Sequence, residues 1–82
     1  MNKVVLVRMN SDNAFWINGN RIASGDAEFD DLPMIEEVAR NTAATLRDSA
    51  PGGCDFQIID RDTPEDPEWN WDDVEAELQL GK

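Results

Sequence analysis

Lys3-Val4-Val5-Leu6-Val7-Arg8-Met9 is apolar on both sides of an extended chain. Val5, Val7 and Met9 point one way, and Val4 and Leu6 point the other. A half-buried strand alternates apolar and polar residues, whereas one with two apolar sides has to be covered on both faces and lie inside its sheet. This run therefore predicts a central strand, and the remaining residues have to supply its neighbours and its covers.

The first neighbour follows directly. Asn10–Asn13 is a turn cluster, and Ala14–Ile17, Asn18-Gly19-Asn20 and Arg21–Ser24 read as a β-hairpin. Asn-Gly is the strongest short hairpin signal, because both residues tolerate the positive φ of a type I′ turn. A type II′ turn at Gly19-Asn20 is the competing register. Either register puts Phe15, Ile17 and Ile22 on one face and Trp16 on the other.

An acidic loop, Gly25–Asp31, leads into a helix. Asp31 suits its N-cap and Pro33 its first turn. Leu32, Ile35, Val38, Ala39, Thr42 and Leu46 recur at helical spacing, giving one apolar stripe through about Arg47. Glu36 precedes Arg40 by four residues, the favourable order for a surface ion pair. Asp48–Gly53 ends the helix, and Cys54–Asp60 alternates as a strand with Cys54, Phe56 and Ile58 inward. Arg61–Pro67 contains two prolines and reads as a loop. In the tail, Glu68–Leu80, Asn70 with Asp73 three residues on resembles a helix start, with Trp71, Val74 and Leu78 on one face. Strict alternation of Val74, Ala76, Leu78 and Leu80 is the competing strand reading. The expected architecture is a single α+β domain spanning residues 1–82. It has a small antiparallel sheet of about four strands, one main helix on a face, and a short C-terminal helix or strand.

Composition narrows the function. The chain has 82 residues and a net charge of −11, with 40% hydrophobic residues. That apolar content is too high for a disordered acidic tail. There is no histidine, so the commonest acid–base group near neutrality is missing. Cys54 is the single cysteine; it has no histidine base and is read as a small buried hydrophobe. The apolar run Val4–Val7 is too short for a signal sequence, and no stretch nears the ~20 residues of a membrane span. No membrane association, no cofactor, no catalytic residue and a cytoplasmic location are expected.

Fifteen of the eighteen acidic residues lie in two windows. Asp26, Glu28, Asp30, Asp31, Glu36 and Glu37 form the first. Asp60, Asp62, Glu65, Asp66, Glu68, Asp72, Asp73, Glu75 and Glu77 form the second, with Arg61 as its one base. A helix N-terminus and Arg40 partly explain the first window. The second has no such local explanation. Counted from Asp60, an EF-hand loop would need Gly where Glu65 stands and Glu where Trp71 stands, so a calcium loop is not expected. Salt adaptation would spread the acids, yet Lys3–Arg21 holds only Asp12. A clustered negative field repels nucleic acid and anionic membranes and attracts basic protein surfaces.

The candidate site is therefore an acidic face. The second window carries most of it, and Asp26, Glu28, Asp30 and Asp31 extend it if the windows adjoin. Trp69 and Trp71 flank Asn70. One is expected to anchor the last element in the core, the other to serve as an interface anchor. Trp16, on the non-core side of the hairpin, is either a further anchor or covered by the C-terminal segment.

In size, charge and element mix, the whole chain resembles the small acidic inhibitors of phages and mobile elements, above all anti-CRISPR proteins of the DNA-mimic kind. Uracil-DNA glycosylase inhibitors and the immunity proteins of nuclease toxins are similar in the same respects. These inhibitors share no residue motif, so the resemblance transfers no site residue by position. It implies a stoichiometric, non-enzymatic inhibitor in a host cell. Its partner would be the basic, nucleic-acid-binding surface of a protein such as a CRISPR effector complex. Fifteen carboxylates correspond in charge to roughly 25 Å of duplex, and they accept bidentate bonds from arginine as phosphates do. The alternatives are an acidic interaction module of the immunity-protein or antitoxin type that docks through Trp69 or Trp71, and a halophilic protein of unrelated function.

Overall fold

A computed structural model describes residues 1–29, 32–49 and 51–81. The apolar run forms β1, Asn2–Arg8, followed by β2, Asp12–Ile17, and β3, Asn20–Asp26. A short 3-10 turn, Ala27–Phe29, precedes α1, Leu32–Ser49; then come β4, Cys54–Asp60, and α2, Trp71–Leu78. The four strands make one sheet in the order β3-β2-β1-β4, so β1 is internal. Asp31, the expected N-cap of α1, lies outside the described residues.

The sheet is mixed. β1 pairs antiparallel with β2, and β2 with β3, but β1 and β4 run parallel. The antiparallel expectation is corrected at this one pairing. Its cause is α1, which carries the chain across one face from the β3 edge to the β4 edge, the kind of crossover a parallel neighbour requires.

Both faces of β1 are covered. On one, Val4, Leu6 and Phe15 pack with Ile35, Ala39 and Ala43 of α1, joined by Ile17, Ala23, Cys54, Phe56 and Ile58. On the other, Val5, Val7, Met9, Ala14 and Trp16 pack beneath Val74, with Ile59, Trp69, Trp71, Leu78 and Leu80 around them. The tail is therefore a helix, and it forms the second cover. Asn70 caps it, its Oδ1 accepting the Asp73 N–H at 3.0 Å. Gln79 ends it in the left-handed region, φ 56°, where its N–H reaches the Ala76 and Glu75 carbonyls and lets Leu80 turn back onto the sheet.

The hairpin uses Asn18 and Gly19 at φ 51° and 85°, the signs of a type I′ turn. A bulge separates Trp16↔Arg21 from Phe15↔Ala23, leaving Ile22 as the extra residue. Ile22 is accordingly 51% exposed, not on the core face as its spacing implied, and Ala23 takes its place. A similar shift applies on α1. Its buried line runs through Ile35, Ala39 and Ala43, so Val38, about 100° around the helix from Ala39, is 43% exposed. Asn13 is buried, and its Nδ2 donates to the Leu32 carbonyl at 3.1 Å, tying β2 to the start of α1.

Candidate functional site

The two acidic windows meet at opposite faces of the sheet. Register decides this. Asp60 pairs with Arg8 across β1 and β4, and Arg8 pairs with Asn13 across β1 and β2, so these side chains share the α1 face. Asp12 pairs with Asp26 across β2 and β3, on the face that α2 covers.

On the α1 face, Arg8 joins the windows. Its guanidinium holds Asp60 in a bidentate grip, Nε to Oδ1 at 2.6 Å and Nη2 to Oδ2 at 2.8 Å. Its Nη1 donates to Glu36 Oε1 at 3.2 Å, and Arg40 Nε donates to Glu36 Oε2 at 3.0 Å. Arg40 also lies over the Phe56 ring, 5.9 Å from its centroid. Arg40 and then Arg8 hold the Glu36 carboxyl below the usual range for glutamate, and Arg8 does the same for Asp60. Arg8 in turn is raised by Asp60 and Glu36.

A carboxylate whose pKa is depressed by folding adds stability at pH values above its unfolded pKa. That contribution disappears as pH falls through the lower, folded value. Arg8→Gln should therefore flatten the acid limb of the stability profile below about pH 5. Urea titrations of both proteins across that range check this, and parallel profiles would refute it. Arg8 and Glu36 are about a third exposed and Asp60 about two thirds, so solvent screens the pairs and the effect of each is small.

On the other face, three acids of α2 find partners within the fold. Asp72 pairs with Arg21 Nη2 at 3.2 Å, Glu75 Oε1 accepts the Trp16 indole N–H at 2.6 Å, and Glu77 pairs with Arg61. With Asp60, four acids of the second window thus have partners within the fold. Its acidity therefore has a partial explanation in tertiary pairing, between residues too far apart for sequence reading to join. Asp62, Glu65, Asp66, Glu68 and Asp73 are exposed. Among the described residues, none of these five carboxylates makes an ion pair. Asp66 accepts the Glu68 N–H at 2.9 Å and so shapes the loop.

The three tryptophans form one stack against the sheet. Of the two readings of Trp16, the structure shows the covered one: it is 1% exposed, beneath the C-terminal segment. Trp71 stacks edge-on against Trp16 at 5.7 Å, and Trp69 against Trp71 at 5.2 Å. Trp69 and Trp71 remain half-buried. With Asp12, Asp26, Glu28 and Asn70 they line an open groove of about 450 Å³, where the first window's loop meets the second window's aromatics. Asp30 and Asp31, also expected here, lie outside the described residues. Asp12 was not foreseen. It faces Asp26 directly, an arrangement of like charges that disfavours strand pairing. Only knowledge of the Ile22 bulge, which shifts the pairing by one residue, brings these two together.

A second groove of about 480 Å³ runs beside the start of α1, lined by Asn13, Leu32, Pro33, Glu36, Glu37 and Arg40. Arg40 and the Arg8-bound Glu36 make it less negative than the aromatic groove. Among the described residues, no group of three acidic or cysteine side chains gathers as metal ligands would, and no helix is long and apolar enough to cross a membrane. In comparisons with known proteins, the chain matched no family model, no curated protein and no solved structure.

Proposed function

We propose that this protein is a non-enzymatic inhibitor that presents its acidic face to the basic groove of a nucleic-acid-binding protein and occupies it as DNA would. The observation that carries the reading is the division of labour within the second window. Its aromatic residues pack on the sheet, while Asp62, Glu65, Asp66, Glu68 and Asp73 stay outward. An interface dominated by apolar anchors would call for the reverse. These five outward carboxylates match the charge of roughly 9 Å of duplex, a length that the molecule, 41 Å along its longest axis, can display. A CRISPR effector complex is the target class that the acidic-inhibitor resemblance favours, and the host cytoplasm is the compartment such a target implies.

One observation favours a second reading. The groove beside Trp69 and Trp71 provides a half-buried aromatic wall, which suits an acidic module of the immunity-protein or antitoxin type. Salt separates the two. Mimicry makes affinity fall steeply with ionic strength, whereas an aromatic-centred interface loses mainly association rate. The test is capture of a partner from host lysate at low salt, followed by elution with duplex DNA. Release by DNA is the expected result, and retention of the partner at saturating DNA would sink the mimicry reading.

A further inference from the structure

We infer that the C-terminal segment, Trp69 to Leu80, is a latch that opens from the sheet as a unit while the α1 side stays folded, and that a basic partner opens it. The second half of this inference rests on the proposed function; the first half does not.

The latch is lightly built. α2 has eight residues, and a helix that short does not persist alone in water. Val74 is the one fully buried side chain of α2, with Trp69, Trp71, Leu78 and Leu80 half-buried around it, whereas α1, on the opposite face, fully buries three: Ile35, Ala39 and Ala43. The stretch from Arg61 to Asn70 that leads to it has no helix or strand, so release of α2 breaks no ladder of the sheet.

Beside its apolar packing on the sheet, the segment has three polar fastenings, carboxylates that reach different donors. Asp72 reaches Arg21 on β3, Glu75 the Trp16 indole on β2, and Glu77 the Arg61 guanidinium on the loop. Asp72 and Glu77 are 80% and 61% exposed, so incoming arginines can reach them from outside. A basic surface would therefore compete with Arg21, Arg61 and Trp16 for the groups that keep α2 closed. A ligand that binds the open state better shifts the population toward it. Opening uncovers Val5, Val7, Ala14 and Trp16 of the sheet. All three tryptophans of the chain lie in or under the latch, so their emission reports on this movement and not on the α1 side.

Amide exchange on the full chain tests the inference. In the resting protein, the amides of α2 should exchange at least about tenfold faster than those of β1 and α1, by a local opening. The variant Asp72→Asn, Glu75→Gln, Glu77→Gln should lower α2 protection about a further tenfold and leave α1 unchanged. Equal protection of α1 and α2 in both proteins would overturn the latch. A nona-arginine peptide at low salt supplies the second arm. Binding, read by calorimetry, should be accompanied by loss of α2 protection and a red shift of tryptophan emission. Binding with α2 protection unchanged would overturn the coupling, whereas failure of the peptide to bind at all would count against the acidic-face reading itself.

Discussion

Changing Asp62, Glu65 and Glu68 to lysine should weaken binding to the captured partner by roughly a hundredfold or more and leave the fold intact. These three are chosen because their carboxylates are exposed and, among the described residues, make no ion pair. Each reversal adds two charges, so the three take the net charge from −11 to −5. Against a basic groove, each site also exchanges an attraction for a repulsion, and such mismatches at an interface cost several kcal/mol in all. Folding should gain slightly, because self-repulsion falls. The measurement pairs a titration against the partner at two ionic strengths with a urea unfolding curve. Undiminished affinity in a folded variant would refute a charge-based surface, and weaker salt dependence of what binding remains is part of the expected result.

Trp16→Ala should have the largest effect on stability, a loss of about 3–5 kcal/mol. The side chain is fully buried between the sheet and α2, touches Trp71 and donates to Glu75. Its removal leaves a large cavity under the lighter of the two covers. Domains of this size have ~5–15 kcal/mol in total, so the variant should sit close to its unfolding threshold at room temperature. The urea midpoint, with circular dichroism as probe, gives the value. A loss below about 1 kcal/mol would mean that α2 does not pack on Trp16 as described.

Much of the fold is legible along the chain because local chemistry and tertiary demand agree there. Val4–Val7 has no polar side, and the structure places it between two layers. Asn18-Gly19 specifies a turn that only a few residue pairs accept. Asn70 caps α2 because its short acceptor reaches the Asp73 N–H, and the helix reading of the tail prevails because its Trp71, Val74 and Leu78 face finds an uncovered side of the sheet. What was not legible depends on long-range geometry. No residue announces the Ile22 bulge. Without it, the opposition of Asp12 and Asp26, and with it the groove beside Trp69 and Trp71, stays hidden. The parallel pairing of β4 likewise arises from where α1 delivers the chain, not from Cys54–Asp60 itself. The ion pairs of Arg8, Arg21 and Arg61 join residues far apart in sequence. They change which acids face outward, and charge counting along the chain cannot distinguish Glu77, held by Arg61, from Glu68, which makes no ion pair among the described residues.

The parallel ladder also bears on how the protein comes into being. β1 precedes the other elements of the sheet in synthesis, yet its partner β4 begins with Cys54 opposite Asn2, more than fifty residues later. Until then one edge of the most apolar segment is unpaired, and its α2-side cover is synthesised later still. Pairing over such separations slows folding and lengthens exposure to aggregation. The domain should therefore mature after translation of this region, more slowly than a helical bundle of its size. Its dense negative charge would then keep nascent copies apart while β1 waits for its neighbours.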